Sequence, residues 1–327
     1  MPTRQQRGAY VPILIQTEAT FKVTPSPASQ KLYYVSEGVK QARNLISSKT
    51  MRGTRMPVAP MIGNIDISGD IPIELSPQHG RLLKHCLGVL ATVGSSAPYT
   101  HTFSVGTLPA GLVIEKQFTD LGTPKFFLYN GCKVSTLKVA AKVEGPIDCT
   151  ISVMGAKEAV NNSSFDPNPS DIGCDPFNGM LGVVSLNGAV LANVVSIDFS
   201  LENNLDGDTY VMDGTGTRRY ISEGEAKVTG VITTLFEDAD LYLAAINNTE
   251  KQLQLDLVKG LGTGASAGNE KLSFYFDEVL FKPESPVVQG PTGLKLTSSF
   301  EAYYNNDSDA NVLRVVLLSP LANASFI

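Results

Sequence analysis

The sequence predicts an all-β fold, mainly antiparallel, made of two tandem β-sandwich or barrel domains with one short flanking α-helix each. Three observations carry this expectation. Short runs alternate apolar with polar residues, the period of a half-buried strand, and turn residues separate them. Each half holds a single short helical pattern, which argues against helices layered on a parallel sheet. The halves also resemble each other. Residues 65–75 (IDISGDIPIEL) and 226–236 (AKVTGVITTLF) place Gly69 against Gly230 at an offset of 161 residues, and the alternating runs around Val139 and Phe300 repeat that offset. Duplication that presents two similar surfaces suits closed rings and arrays.

The division expected is a first domain over 1–160 with an N-terminal arm and a long loop at 45–63, a linker at 161–180, and a second domain over 181–327 with a long loop at 203–222. In the first domain a strand at 13–23 leads to the turn Pro25-Ser26-Pro27, and 45–63 shows no periodicity. The strand at 65–75 alternates isoleucines with Asp66, Ser68, Asp70 and Glu74, one buried face and one wet acidic face. Ser76 as N-cap and Pro77 at the first helical position open a helix with Leu82, Leu83, Cys86 and Leu87 on one stripe, ending at Gly88. Strands follow at 100–105, 112–118, 125–129, 134–143 and 149–154. The second domain starts with a hairpin over 183–201 turning at Asn187-Gly188. Its further expectations are a strand at 226–236, a helix at 239–246 with acidic first turn, and strands at 252–258, 271–281, 294–304 and 312–318.

Composition narrows the function. A chain of 327 residues with 43% hydrophobic and 18% charged residues is an ordered globular protein. Its net charge of −6 disfavours direct nucleic-acid affinity, which needs Lys and Arg to replace phosphate counterions. Residues 1–9 are polar and basic with no apolar run, so no secretory signal is expected. Residues 177–197 lack charge but read as a hairpin rather than a membrane helix, so no membrane insertion is expected. Cys86, Cys132, Cys149 and Cys174 form no C-x-x-C pair and read as free thiols. The sequons at Asn161, Asn162, Asn247, Asn306 and Asn323 would matter only in a secreted protein.

No catalytic, cofactor or metal constellation emerges. Residues 262–267 (GTGASA) fit the permissive dinucleotide fingerprint, but strand rather than helix follows, and a loop is the better reading. Asp206, Asp208 and Asp213 sit among glycines as in a calcium loop, yet Tyr210 stands where an oxygen ligand belongs. His79, His85 and His101 lack metal-ligand spacing, and Asp66 with Asp70 reads as a solvated stripe rather than an acid/base pair. Arg52, Arg55, Arg218 and Arg219 occupy the two long loops and could meet phosphate or a partner carboxylate.

The chain resembles the phage major tail tube proteins, in particular long forms with two fused tube domains. The residues carrying the likeness are 16–21 (QTEATF), 46–55 (ISSKTMRGTR), 63–69 (GNIDISG), 82–88 (LLKHCLG), 112–116 (LVIEK) and 129–137 (YNGCKVSTL). The resemblance implies a virion structural protein, not an enzyme, without cofactors. Its sheets would join across subunits into rings, trimeric and pseudo-sixfold, stacked into a hollow tube that delivers DNA without binding it. Implied partners are the protein itself, the tape measure and tail-terminator or tail-tip proteins, with assembly in the host cytoplasm. Lys49, Arg52, Arg55, Met56, Asp213, Arg218 and Arg219 would lie in loops between subunits or rings; Asp66, Asp70, Glu74, Glu223 and Glu225 would face the lumen. The alternatives are a soluble ligand-binding β-barrel protein and the tube of a phage-derived contractile injection particle.

Overall fold

The computed structural model describes residues 5–288, 293–304 and 311–326. Residues 1–4 of the expected N-terminal arm and the sequon at Asn306 lie outside them. The first half runs β1 (Ile13–Glu18), β2 (Gln30–Leu32), β3 (Lys40–Ile46), β4 (Met61–Glu74), α1 (Gly80–Leu87), β5 (Gly88–Val93), β6 (Tyr99–Val105), β7 (Gly111–Phe118), β8 (Lys125–Lys142), β9 (Asp148–Gly155) and β10 (Lys157–Asn161). The second half runs β11 (Gly182–Leu186), β12 (Ala189–Val190), β13 (Val194–Glu202), β14 (Lys227–Leu235), α2 (Asp240–Ile246), β15 (Lys251–Val258), β16 (Lys271–Phe281), β17 (Lys295–Ala302) and β18 (Arg314–Ser319). The fold is all-β and antiparallel, as the alternation predicts.

Local chemistry explains the best-defined elements. In β4 the isoleucines at 65, 67, 71 and 73 are buried while Asp66, Ser68 and Asp70 are exposed. Ser76 and His79 form a capping box over a 3-10 turn that leads into α1, whose Leu82, Leu83, Cys86 and Leu87 are buried. Asn187 and Gly188 take positive φ (50° and 77°), the conformation of a tight hairpin turn, between β11 and β12.

The same strand order occurs twice. In the first half β2–β1–β7–β8–β10 form one layer and β3–β4–β9–β8 the other. In the second half β12–β11–β15–β16–β18 and β13–β14–β17–β16 repeat this order. The strand β8 serves both layers. Up to Cys132 it pairs with β7, and from Lys133 it pairs with β9. The bend falls at Gly131, whose φ of 64° suits glycine and whose N–H donates to the buried Glu18 carboxylate. The sequence reading split this strand in two, because Asn130-Gly131 has the composition of a turn.

One expected equivalence is corrected. Gly230 pairs with Phe300, whereas Gly69 pairs with Val153 on β9. The counterpart of β17 is therefore β9, not the Val139 region of β8. The β5–β6 hairpin has no counterpart between α2 and β15, and this extra length shifts the offset after α1.

Among the described residues, two strand pairings join the halves. The register runs from Ser196↔Lys142 to Glu202↔Thr136 between β13 and β8, and from Arg314↔Ser104 to Ser319↔Tyr99 between β18 and β6. Phe326 is fully buried, edge-on to His101 at 4.8 Å and to Phe103 at 6.3 Å, with Gly80 beneath its ring. The apolar core is continuous across both halves. In the second half Phe199, Phe274, Phe276 and Phe300 meet edge to face at 5.0–5.5 Å, an arrangement worth about 0.5–1.5 kcal/mol per pair beyond area burial. The segment expected as a linker is a packed strap: Asp166 accepts from Ser29 N and Oγ at 2.8 Å, and Phe177 is buried between the Leu75 and Ile147 backbones.

Candidate functional site

Three surfaces stand out, all set by the sheet that crosses both halves. Its order is β3–β4–β9–β8–β13–β14–β17. One face buries Ile67, Ile71, Ile151, Val139, Phe199, Ile232 and Phe300. The opposite face, built by the alternate residues, is rich in hydroxyls: Ser68, Thr150, Ser152, Ser200, Thr229, Thr233 and Thr297. Ser152 donates to Asp70 at 2.6 Å, and Ser200 meets Thr229 at 3.3 Å. Asp66, Asp70 and Glu74 share this face, joined by Asp148, Asp198, Glu202 and Glu301. Lys40, Lys138, Lys142, Lys227 and Lys295 interleave with them. The face is thus polar and mixed in charge rather than purely acidic.

Glu223 and Glu225 are not on it, because β14 begins only at Lys227. Glu223 accepts from Lys133 at 2.9 Å and from Leu108 N at 3.2 Å. Partial burial pushes its carboxyl up, but the Lys133 bond and backbone donors outweigh this and hold it below the ordinary glutamate range. Glu225 is exposed, beside Asn204, which donates to its carbonyl.

The second surface is where the loop after β13 lies across the first half. Asn203 donates to Cys86 O and Val134 O at 3.0 Å, Tyr210 to Ile65 O at 2.7 Å, and Lys22 to Arg218 O at 2.9 Å. Arg218 is the centre. Its guanidinium donates to Gly207 O and Gly155 O at 2.7 Å and to Asp66 at 2.5 Å, and it stacks over Tyr210. Arg218, expected in a loop between subunits or rings, is only 6% exposed, and its guanidinium is engaged within the chain. The forked donor geometry of arginine suits several carbonyls plus a carboxylate at once. Nothing local in the sequence separates it from Arg219, which is exposed and lies against Tyr220. Asp213 is exposed and closes an Asx turn on Thr215; those hydrogen bonds hold its carboxyl below the usual range.

The third surface is the arm. Strands β3 and β4 extend as a hairpin from Lys40↔Ser68 to Ile46↔Met61, and residues 47–60 form its tip. Lys49, Arg52, Arg55 and Met56 are all exposed there. Met51 is 98% exposed and Met56 78%. The tip's hydrogen bonds are internal, Ser48 with Thr50 and Thr54 with Met56. The structure therefore separates the seven loop residues expected to act together: four on the free arm, and Arg218 buried.

The remaining sequence candidates have structural roles. His79 bonds Ser76 within the capping box, and burial lowers its pKa to about 4. His85 meets Thr17 Oγ1 at 3.0 Å, and burial beside Lys84, Arg81 and Lys133 lowers it to about 3. His101 bridges Thr92 and Leu321 O. Cys86, Cys132 and Cys149 are buried free thiols, and burial pushes Cys149 up to about 12, far from a reactive thiolate. Gly262 and Gly264 take positive φ in a loop before β16, and Gly264 packs against the backbone of Leu318 and Ser319. Asp206 caps its own turn through Asp208 N. Among the described residues there is no group of His, Cys, Asp and Glu that could hold a metal, and no helix long and apolar enough to cross a membrane.

Comparison with curated proteins finds no match. The family model for the phage tail tube protein matches residues 8–302. That span takes in the crossing sheet, the arm and the loop over Arg218, so the chain belongs to the phage tail tube protein family.

Proposed function

We propose that this structural tail protein polymerises into stacked rings, each a trimer with pseudo-sixfold symmetry, that form the conduit for phage DNA. The observation that carries this reading is the β8–β13 pairing. It joins two similarly ordered units edge to edge inside one chain. The same two edges recur at the ends of the molecule: β3 corresponds to β13, and the run after β16, where Lys282 N donates to Ser299 O, corresponds to the end of β8. Unpaired strand edges are templates for a further strand, and closure into a ring removes them.

In this reading the hydroxyl-rich face lines the lumen. Its interleaved carboxylates and lysines give no block of positive charge on which phosphates would be held. The arms reach a neighbouring subunit or ring, and the tape measure and tail-end proteins bind the assembled tube. Assembly takes place in the host cytoplasm. Negative-stain microscopy of the purified protein is the test: rings or tubes with three chains per layer are expected, and a monodisperse monomer at high concentration would sink the reading.

A further inference from the structure

We propose that Lys116 and Glu37 condense to an amide, a covalent clip that ties β7 in one layer to the segment leading into β3 in the other. The inference does not depend on the ring reading above.

The pair sits where a free ammonium and a carboxylate are rarely found. Lys116 shares the core-facing side of β7 with Leu112 and Ile114, both fully buried, and is itself only 8% exposed. Glu37 enters from the connection between β2 and β3, two residues before the fully buried Val39, and its carboxylate lies 2.8 Å from Lys116 Nζ. Nζ donates to Val39 O, whereas Glu37 Oε1, closed off from solvent, accepts no hydrogen bond. The ring of buried Tyr129 lies 5.0 Å from Nζ, and Glu158 stands directly across from Tyr129 on β10. Burial, together with Glu158 and Glu37 close by, pushes the Tyr129 phenol well above its ordinary range and keeps it protonated.

The second half builds the same place without charge. The bulged pairing of β7 with β8, Leu112↔Cys132 then Ile114↔Tyr129, repeats between β15 and β16 as Lys251↔Val279 then Leu253↔Phe276. This register carries Lys116 to Leu255 and Tyr129 to Phe276. Glu158, opposite Tyr129, falls on Leu313, and Glu37 falls on Ile197 through the pairs Lys40↔Ser68 and Ser200↔Thr229. All four counterparts are buried and apolar. Packing alone suffices there, and a buried ion pair often adds no stability over hydrophobic residues of similar volume. The charged set in the first half therefore calls for a role other than packing.

The step needs no outside reagent. A proton passes from ammonium to carboxylate within the pair, leaving amine and acid, and a desolvated lysine amine is a competent nucleophile. Nζ attacks Cδ, the Nζ–Cδ bond forms and a Cδ–O bond breaks. The oxygen departs as water, carrying the proton it received and a second one from Nζ, with Tyr129 and Glu158 as the acid–base couple beside the site. Ammonium plus carboxylate thus give a neutral amide and water. Between free molecules in water this condensation is uphill, but holding two groups in reacting contact is worth an effective molarity of about 10⁵–10⁸ M.

Mass spectrometry of the full-length protein under denaturing conditions tests this. The wild-type chain should weigh one water less than its sequence, and Lys116→Arg and Glu37→Ala should each restore the full mass. In a tryptic digest of the wild type, residues 32–40 should be joined to residues 85–125, uncut after Lys116. That digest needs no variant, so it decides the matter even where a variant folds poorly. A wild-type chain of full mass that is cleaved after Lys116 would overturn the proposal. A Lys116→Arg chain still one water short would overturn it too, because the water would then have been lost elsewhere.

Discussion

Arg218 and Asp66, 152 residues apart in sequence, lie 2.5 Å from each other where the second half's loop crosses the first. The two ends of this contact differ: the arginine side chain is 7% exposed and the aspartate 54%. Removing the arginine strands the carbonyls of Gly155 and Gly207 without their donor, so Arg218→Ala should cost about 2–4 kcal/mol. Asp66→Asn should cost less than about 1 kcal/mol, because a half-exposed pair is solvent-screened. Urea unfolding of both variants checks the asymmetry; equal losses would mean that the ion pair, not the carbonyl bonds, dominates.

Gly69 and Gly230 are conformationally ordinary but sterically closed. A Cβ on Gly230 would enter the Phe300 ring and meet the Asp198 carbonyl, and one on Gly69 would meet the backbone of Gly38 and Val39. The Phe300 ring can shift, whereas the three nearest contacts at Gly69 are all backbone. Gly230→Ala should cost about 1–3 kcal/mol by overpacking, and Gly69→Ala more, seen as a larger fall in Tm.

The buried histidines make stability fall in acid. Their folded pKa values, about 4 for His79 and about 3 for His85, lie below the unfolded value near 6.5, chiefly through burial. Between those limits the unfolded chain binds more protons, so their contribution is complete above about pH 6.5 and is lost as pH drops towards 4 and then 3. The slope should approach about 1.4 kcal/mol per pH unit for each histidine. Unfolding of His85→Gln across this window should show a shallower slope; an unchanged slope would mean that His85 takes up its proton while folded.

Charge on the crossing sheet can be tested without disturbing the Arg218 contact. Asp70→Lys with Asp198→Lys alters two residues on the hydroxyl-rich face, where single substitutions usually shift stability by within about 0.5 kcal/mol. If this face lines the channel, tubes of the double variant should retain DNA in a salt-sensitive manner and particles should deliver it poorly. Normal delivery from assembled variant tubes would move the lumen to another face.

Deleting residues 49–57 should leave Tm within a few degrees of the parent, because among the described residues the arm tip bonds only to itself. The same variant should form no long tubes by microscopy. Long tubes would show that the arm is dispensable.

Strand alternation was legible wherever one face meets the core, as in β4, and so were the Ser76 cap and the Asn187-Gly188 turn. The hairpin that includes β3 was not, since six of the seven β3 residues are exposed and alternation has nothing to report. The mixed charge of the sheet face comes from lysines on β8, β14 and β17, placed on the same face as Asp70 and Glu74 only by strand order. The intrachain bonding of Arg218 was not legible for a related reason. Its partners are backbone carbonyls on distant elements, and a carbonyl leaves no mark in a sequence.

The β5–β6 hairpin has a mechanical consequence. It pairs with β18 across the junction inside the chain and has no counterpart after α2, so the internal junction carries two strand pairings. A seam between chains could copy only one of them and would lack the covalent link. Three stiff joints would then alternate with three compliant ones, and a stretched or bent tube would fracture along every second boundary.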